Sequence, residues 1–324
     1  GLAGDALNTG HSNVVLGKAA LSTEDTGRKN VAIGFEALTT QNADVDNLNT
    51  AVGYQAGKAV TTGINNTLIG GSAGDLLTDA DNNVAVGAGA LGSDTLGSKS
   101  TAIGKDALGV QNFTTATDSN NVGVGFLAGG AVTTGIFLTL VGTNAGGDLT
   151  EGDSNVAVGT SALSTDTKGD RNIAIGSSAL GTQNFTTKTD SYNIGVGHSA
   201  GGAVTTGIDN TFMGGLAGDA LTDADQNVAI GRSALTSDTL GSRSVAVGYQ
   251  ALAFQNFTTA TNSFNTAVGN QAGNKVTTGT VNTLIGGLSG DALTTGEENT
   301  AVGYQSLGSA TKSDNNVAIG NSAL

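Results

Sequence analysis

Short runs of β-branched and small apolar residues recur along the chain, each ending in a glycine and followed by a polar stretch. The run "NTAVGYQAG" at residues 49–57 returns as "NTAVGNQAG" at 265–273 and as "NTAVGYQSL" at 299–307. The apolar part spans about five residues, which is too short for an amphipathic helix and has the composition of a strand. The polar stretches are rich in Asp, Asn, Thr, Ser and Gly, which favour turns. The pattern therefore predicts many short strands separated by turns.

The glycine that ends each run, called here the anchor glycine, occurs 18 times. The anchors are Gly17, Gly34, Gly53, Gly70, Gly87, Gly104, Gly125, Gly142, Gly159, Gly176, Gly197, Gly214, Gly231, Gly248, Gly269, Gly286, Gly303 and Gly320. Most intervals have the 17-residue length that separates Gly53 from Gly70, and three have a 21-residue length, which gives a 72-residue super-repeat of four units. A short fixed period of this kind predicts a solenoid, in which each unit is one coil.

The predicted fold class is all-β, a parallel β-solenoid or β-roll of 18 coils. Positions are numbered here from the anchor, so that position −3 lies three residues before it. Asn occupies position −4 in 15 of 18 units, and stacking would arrange these amides in a ladder along the axis. The segment after the anchor predicts a second short strand in each coil. With coils about 4.8 Å apart, the array would form a rod about 80 Å long.

Alternation along the strand separates two apolar faces. Positions −3 and −1 carry mostly Val, Ile and Thr, whereas position −2 carries 11 Ala, with Gly, Leu, Val15 and Phe212 in the remaining units. One face fills the coil, and the other would be an exposed apolar strip, which marks an association site. We expect the −2 face to pack against partner chains, because its small residues allow close approach. A homotrimer is the simplest closed arrangement for such a rod.

The chain is expected to be a single repeat array, residues 1–324, that is cut within a repeat at both ends. The stretch "GLAGDAL" at 1–7 matches residues 215–221, so its own anchor would precede residue 1. The last residues, "NVAIGNSAL", also stop in the middle of a unit. We therefore expect a segment of a longer array without terminal capping repeats.

Composition and charge favour a thin, regular interior and exclude two classes of partner. The chain has 52 Gly, 4 % aromatic residues and no Pro, Trp or Cys, so it cannot build a bulky core or a disulfide. Its net charge of −14 leaves no basic stripe for nucleic acid and disfavours an anionic membrane surface. No apolar run is long enough to span a bilayer. We expect no nucleic-acid partner and no membrane insertion by this segment.

Sequence motifs that suggest chemistry are explained by the repeat. "GHSAG" at 197–201 matches the G-x-S-x-G pattern of hydrolases, but its counterparts "GYQAG" and "GFLAG" in other coils lack the serine. "DADNN" lacks the glycine and glutamate of a calcium loop, although a calcium ion shared by Asp79 and Asp81 stays an alternative. His11 and His198 have no partner at metal-ligand spacing. We expect no catalytic residue, no metal ligand and no cofactor.

Three coils carry four extra residues, and we predict that these loops carry any binding. The loops are "QNFTTATDS" at 111–119, "QNFTTKTDS" at 183–191 and "QNFTTATNS" at 255–263. The candidate binding residues are Gln111, Asn112, Phe113, Gln183, Asn184, Phe185, Gln255, Asn256 and Phe257. An aromatic ring can pack on the C–H groups of a sugar while amides bond its hydroxyls, and weak sites add through multivalency. The alternative is that each Phe folds back as a hydrophobic plug under its own loop.

The repeats "NVAIGxxAL" and "NTAVGYQAG" resemble the head repeat of trimeric autotransporter adhesins, and more closely the arrays of phage tail fibres and bacterial surface fibres. The resemblance covers the whole chain and recurs in register 18 times. It implies a left-handed β-roll, an intertwined homotrimer, and a location on a cell surface or virion. It also implies attachment to a glycan or protein receptor. The adhesin head repeat is shorter than the 17-residue unit of this chain, so the turns here should be larger.

These observations favour a structural and adhesive fibre segment over an enzyme. A polysaccharide-degrading tailspike needs paired carboxylates at a break in the repeat, and the sharpest break, "GIFLTLVG" at 135–142, is apolar. An ice-binding solenoid needs a threonine face on every coil. The threonine pairs at 61–62, 133–134, 205–206 and 277–278 recur only every fourth coil. Ice binding, or binding of another ligand by the solenoid, stays an alternative.

Overall fold

The computed structural model describes all residues from 1 to 324 and contains strands and turns but no helix. The chain divides into two compact units, Gly1–Asn155 and Val156–Leu324, called here the N-terminal unit and the C-terminal unit. The anchors assign eight coils to the first unit and ten to the second. Each unit is a parallel β-solenoid, so the prediction of an all-β solenoid of about 18 turns is confirmed.

A three-residue strand occupies positions −3 to −1 of every coil. The strands of the N-terminal unit are β1 (Val14–Leu16), β2 (Val31–Ile33), β3 (Thr50–Val52), β4 (Thr67–Ile69), β5 (Val84–Val86), β6 (Gly97–Ser98), β7 (Thr101–Ile103), β8 (Thr117–Asp118), β9 (Val122–Val124) and β10 (Thr139–Val141). Those of the C-terminal unit are β11 (Val156–Val158), β12 (Gly169–Asp170), β13 (Ile173–Ile175), β14 (Thr189–Asp190), β15 (Ile194–Val196), β16 (Thr211–Met213), β17 (Val228–Ile230), β18 (Gly241–Ser242), β19 (Val245–Val247), β20 (Thr261–Asn262), β21 (Thr266–Val268), β22 (Thr283–Ile285), β23 (Thr300–Val302) and β24 (Val317–Ile319). Of the two-residue strands, β8, β14 and β20 lie in the long loops, and β6, β12 and β18 lie in the facing turns of the preceding coils.

Successive strands within a unit pair in parallel and position for position. Ala51 of β3 lies opposite Ala32 of β2 and Leu68 of β4. The main-chain bonds extend beyond the strands, since Gly70 N donates to Val52 O at 2.8 Å. A coil with one residue more or fewer before its strand would turn the inward side chains outward, which explains why the 17-residue step is kept so strictly.

The anchor position requires glycine for two reasons. Its φ lies between 127° and 144° in every coil, a region that residues with a side chain rarely adopt. In addition, a Cβ on Gly53 would lie 2.3 Å from the carbonyl oxygen of Gly70, the anchor of the next coil. A Cβ on Gly104 would lie equally close to the carbonyl of Gly125. Any side chain here would push neighbouring coils apart.

The segment after the anchor is a tight turn, so the prediction of a second strand there was wrong. Positions +2 and +4 have positive φ in every coil, for example 55° at Gln55 and 49° at Leu38. Alternating ordinary and left-handed residues curl the chain, whereas a strand needs extended dihedral angles at every residue. The turn still bonds to its neighbour, since Gln55 N donates to Phe35 O at 2.8 Å.

Position −2 faces the interior, and positions −3 and −1 face outward. Ala32 and Leu68, both at position −2, are fully buried. By contrast Ile69 and Ile103, both at position −1, are each 39 % exposed. The expectation that the −2 face contacts partner chains was therefore wrong, because a coil of this length closes over a narrow interior that admits mainly small side chains. Positions −3 and −1 together are called here the outer face.

The four-coil super-repeat reflects the packing of the interior, because the side chains at positions +4 and +7 change together from coil to coil. Position +4 is Gly in two successive coils and Leu in the next two. A Cβ on Gly57 would lie 2.6 Å from Leu68 Cδ1 and 3.3 Å from Val60 Cγ2, so apolar side chains already fill that space. Where Leu occupies position +4, position +7 is polar, as at Asp94 and Gln111, except in the coil of Leu307, where it is Ala310. The interior stays close-packed in both kinds of coil.

Replacing Phe212 by alanine tests how tightly this interior is packed. The ring is fully buried between Gly201 and Gly218, whose Cβ atoms would lie 2.6 and 2.4 Å from ring carbons. Phe212→Ala should lower the free energy of unfolding by about 3–5 kcal/mol, because the rigid coils cannot collapse into the cavity. Phe254→Ala, which removes a ring that is 57 % exposed, should change it little. Equal denaturation midpoints for the two variants, followed by circular dichroism, would contradict this picture.

Candidate functional site

The extra residues of each long coil form a second short ladder with the preceding coil. In the N-terminal unit, Thr117–Asp118 pairs in parallel with Gly97–Ser98. The same pairing recurs in the C-terminal unit between Thr189–Asp190 and Gly169–Asp170, and between Thr261–Asn262 and Gly241–Ser242. In each long loop, only the three residues at the tip, such as 114–116, are exposed in a row.

A buried carboxylate from the preceding coil holds each long loop in place. Asp94 Oδ1 accepts hydrogen bonds from Gly97 N at 3.0 Å and Phe113 N at 3.2 Å, and Oδ2 accepts one from Gln111 Nε2 at 2.6 Å. Asp94 is fully buried, and a buried carboxylate is tolerated only when such donors satisfy it. The aspartate with its glutamine and phenylalanine partners is called here the loop latch.

The loop latch recurs with the same geometry in the C-terminal unit. Asp166 accepts from Gly169 N and Phe185 N, each at 3.1 Å, and from Gln183 Nε2 at 2.6 Å. Asp238 accepts from Gly241 N at 3.1 Å, Phe257 N at 3.0 Å and Gln255 Nε2 at 2.5 Å. A shorter loop, "QNADVDN" at 41–47, lies in the 19-residue interval between Gly34 and Gly53. It uses Glu24, which accepts from Gly27 N at 2.7 Å and Gln41 Nε2 at 3.1 Å.

Each latch is also bonded to the column of Asn side chains at position −4. Asn121 Nδ2 donates to Gln111 Oε1 at 2.8 Å and to Gly135 O at 2.7 Å. The amide of Gln111 therefore donates to the carboxylate and accepts from the Asn column, so both of its ends are used. Asn193 and Asn265 donate in the same way to Gln183 and Gln255, each at 2.9 Å.

The Asn column itself joins coil to coil mainly through the main chain. Asn49 Oδ1 accepts from the main-chain N of Asn66 at 2.8 Å. Direct amide-to-amide bonds, which the sequence predicted, also occur, as where Asn299 Nδ2 donates to Asn282 Oδ1 at 3.0 Å. Leu138 interrupts the column, and its main-chain N still donates to Asn121 Oδ1 at 2.9 Å.

Of the candidate binding residues, the structure buries the Gln and Phe and exposes the Asn. Gln111, Gln183 and Gln255 are fully buried, and Phe113, Phe185 and Phe257 are only 5–6 % exposed. These rings cannot stack on a sugar while the loop is folded, and their placement matches the plug alternative. Asn112, Asn184 and Asn256 are exposed, and their Oδ1 atoms accept from Thr95, Thr167 and Thr239 Oγ1 at 3.0, 3.0 and 3.2 Å. Binding by these loops stays a prediction.

The latch carboxylates are the residues that sequence reasoning did not single out. Asp94, Asp166 and Asp238 stand at position +7, where Val60 and Leu77 stand in coils with Gly at position +4. A charged residue in a column that is elsewhere apolar is the signal that could have revealed them. It indicates a buried polar contact shared with the neighbouring coil.

The remaining motifs are occupied by structural contacts. Ser199 lies in the turn at position +2 with φ of 50°, and no helix follows it. Asp79 Oδ1 accepts from Thr62 Oγ1, and Asp81 Oδ1 accepts from Ile64 N at 2.7 Å, so each of these carboxylates bonds the preceding coil. No three His, Asp or Glu side chains group closely enough to hold a metal ion.

Comparison with known proteins assigns no family to the chain, so its fold and its repeat are the basis for classifying it. No family model, curated protein or solved structure matches the chain. No helix with the length and hydrophobicity of a membrane-spanning segment is present in the structure. The chain is accordingly a repeat protein of the parallel β-solenoid class.

Asp94→Asn tests the importance of the loop latch. The amide group would place its own N–H beside the donors of Gly97, Gln111 or Phe113, so at least one buried donor would lose its acceptor. We expect a loss of about 1–3 kcal/mol in the free energy of unfolding. Asp118→Asn, at an exposed carboxylate 2.5 Å from Lys99 Nζ, is the matched control and should have little effect. If both variants unfold at the wild-type midpoint, the latch does not stabilise the fold.

The stability contribution of Asp94 should fall as the pH rises. Burial raises the pKa of this carboxyl, against the opposing hydrogen bonds from Gln111, Phe113 and Gly97. The folded state therefore keeps a proton at pH values where the unfolded chain has released it, and rising pH favours unfolding in that window. The stability difference between wild type and Asp94→Asn should shrink as the pH passes through the raised pKa. A difference that grows with pH would show that hydrogen bonding outweighs burial.

Proposed function

We propose that this chain is a segment of a structural and adhesive fibre without enzymatic activity, located on a cell surface or virion, in which three copies associate. The observation that carries the proposal is the outer face. It presents an apolar residue at position −1 and a Val, Ile or Thr at position −3 in every coil of both units.

The outer face has the properties of a subunit interface. Ile69 in the N-terminal unit and Met213 in the C-terminal unit are 39 % and 43 % exposed at position −1, and each belongs to the apolar column of its own unit. An apolar strip that recurs on every coil exceeds the scattered hydrophobic residues of a normal monomer surface. β-branched side chains are stiff, so they lose little entropy on association. A second copy of this chain offers a strip with the same spacing, which lets two faces match coil for coil.

Three copies rather than two follow from the resemblance to trimeric fibre repeats. Three outer faces arranged around one axis would cover one another and leave no strip exposed. Such closed symmetry avoids the open-ended association that an uncovered β-face invites. The outer face replaces the −2 face, which lies inside each coil, as the surface through which the trimer forms.

Adhesion is the second half of the proposal and concerns the exposed surface. The interior is filled, and its buried side-chain polar groups are paired except for Asn47 Nδ2 and Ser313 Oγ. A partner must therefore bind to side chains on the outside of the coils. The loop tips at 114–116, 186–188 and 258–260 are exposed and are repeated along the array. A trimer would display each tip three times, so weak contacts with a cell-surface glycan or protein receptor would add through avidity.

Ice binding is the second candidate, because the outer face carries Thr at position −3 in eight of 18 coils. The threonine pairs considered from the sequence do not add to such a face. Thr61 Oγ1 donates to Thr78 O at 3.2 Å, and Thr78 Oγ1 donates to Thr95 O at 3.1 Å, so these hydroxyls join one coil to the next. Thermal hysteresis in a monomeric sample would favour ice binding over the trimer. A polysaccharide-degrading role is the least favoured, because the latch carboxylates are buried.

The trimer is tested by light scattering on the purified chain and two variants. Wild type should have three times the 31.6 kDa mass of one chain. Ile69→Lys, which places a charge on the outer face, should shift the mass toward one chain, because a desolvated, unpaired ammonium is costly in an apolar interface. Leu76→Lys is the matched control, since Leu76 is 48 % exposed but lies outside the outer face. A folded wild-type chain of 31.6 kDa would refute the trimer.

A further inference from the structure

A short aromatic stack lies at the edge of the outer face in the N-terminal unit, at position +1 of successive coils. The rings of Phe35 and Tyr54 are stacked, with centroids 5.5 Å apart and planes at 9°. Lys18 Nζ lies 5.9 Å from the Phe35 centroid and covers the other side of that ring. The stack therefore has one covered end, at Lys18, and one end formed by Tyr54, which is 57 % exposed.

The column continues beyond Tyr54 with two positions that carry almost no side chain. These are Gly71 and Ala88, and a Cβ built on Gly71 meets no atom within 4 Å. The next bulky side chain in the column is Lys105, three coils from Tyr54. With coils about 4.8 Å apart, the distance along the column from Tyr54 to Lys105 is about 14 Å. The space between them is called here the Tyr54 gap.

The far end and one side of the Tyr54 gap carry the groups that a sugar would need. Lys105 Nζ and Asp106 Oδ2 form an exposed ion pair at 3.0 Å. The ammonium also lies 5.7 Å from the ring centroid of Phe126 in the following coil, so the carboxylate is the polar group that faces the gap. Asp106 Oδ1 leans toward the preceding coil, to within 2.5 Å of where a Cβ on Gly89 would be. Gly89 is the one glycine at position +2 in the array, so the carboxylate reaches that space without a clash. Ile69, 39 % exposed, borders the gap with an apolar side chain.

We propose that the Tyr54 gap is a binding subsite for an uncharged sugar ring, whose C–H face stacks on the free face of Tyr54. In a longer saccharide, the hydroxyls of a later sugar unit would bond the carboxylate of Asp106 at the far end of the gap. A pyranose combines an apolar face with a rim of hydroxyls that both donate and accept, which is the combination that the gap presents. The proposal rests on the adhesive half of the proposed function, and one chain supplies every residue of the subsite.

Charge decides between a sugar and the other flat ligands that stack on an aromatic ring. Residues 1–155 carry 15 Asp and Glu against six Lys and Arg, so a nucleotide or nucleic-acid phosphate would be repelled. Lys105 is neutralised by Asp106, which removes the single cation that would favour an acidic sugar. An uncharged saccharide is the ligand class that is disfavoured neither by the net negative charge nor by the Lys105–Asp106 ion pair.

The test measures binding of maltohexaose, cellohexaose, mannohexaose and β-1,4-galactohexaose to the full chain by calorimetry and saturation-transfer NMR. At least one should bind, with saturation transfer to ring protons. Tyr54→Ala should weaken binding about ten-fold, the expected scale for the loss of one stacking contact. Gly71→Gln should weaken it similarly, because the new side chain fills the gap while the tyrosine remains. Gly71 has an ordinary backbone conformation, so this variant should fold normally.

Tyr304→Ala is the matched control, because Tyr304 occupies position +1 in the C-terminal unit but covers its neighbouring glycine. Its Cδ2 lies 3.6 Å from where a Cβ on Gly287 of the preceding coil would be. The next residue of its column is Asn321 rather than a glycine, so the equivalent of the Tyr54 gap is absent. This variant should bind as wild type does. Failure of all four saccharides to bind, or unchanged binding in both Tyr54→Ala and Gly71→Gln, would overturn the proposal.

Light scattering on the same samples separates this proposal from the trimer. If Tyr54→Ala or Gly71→Gln dissociates a wild-type oligomer, the gap is a contact between copies of the chain and the sugar subsite is wrong. If wild type is a monomer that binds a saccharide and loses it on Tyr54→Ala, the subsite stands and only the trimer fails.

Discussion

Main-chain hydrogen bonds between neighbouring coils, in the turns as well as in the strands, are the contact on which the other features of each unit depend. They require two backbones to run side by side at strand spacing while each turns back on itself within a single 17-residue coil. The chain meets this requirement with four positive-φ positions per coil, at −5, 0, +2 and +4. Non-glycine residues such as Gln55 have a conformational cost there, which the ladder offsets because every coil repeats the same bonds. Glycine is required in every coil at the anchor, where two backbones also come into contact. In some coils a glycine seven residues before the anchor is equally close to the next backbone, since a Cβ on Gly63 would lie 2.4 Å from the carbonyl oxygen of Ala80.

The same constraint determines what the interior can contain. A coil closed by such tight turns leaves room mainly for Ala at positions −2 and +3. It also holds one larger apolar side chain, at position +4 or at position +7. Leu and Gly therefore alternate at position +4, and Val60, Leu77, Asp94 and Gln111 succeed one another at position +7. Where Leu at position +4 fills the apolar space, position +7 can hold a buried carboxylate that forms hydrogen bonds with the longer loop. Core packing and loop attachment are thus one arrangement with a four-coil period.

Periodicity made the strands, their parallel register and the number of coils predictable, because stacking converts each repeated letter into a column. It could not decide which face of the strand points inward, since Val31 and Ala32 are both apolar and alternation alone is symmetric. The turn after the anchor was predicted as a strand, because Leu and Gln are residue types that seldom indicate a turn. Leu38 and Gln55 nevertheless have left-handed backbone conformations there. Phe113 was open to two interpretations until its partner Asp94 was located, because that contact joins residues 19 positions apart. The Tyr54 gap depends on the open space beside Gly71, which the sequence pattern alone does not reveal.

The invariance of the anchor contact has a consequence for how such genes change. Because each coil meets its neighbours through the same backbone atoms, in-frame gain or loss of one whole 17-residue unit would join strands that are already in register. Loss of a single coil would, however, separate a buried aspartate such as Asp94 from the glutamine one coil later. Unequal recombination should therefore be tolerated best in blocks of four coils, which keep carboxylate and glutamine together. The similarity in register of the segments that begin at Gly53, Gly125, Gly197 and Gly269 is the record expected from duplication in such blocks.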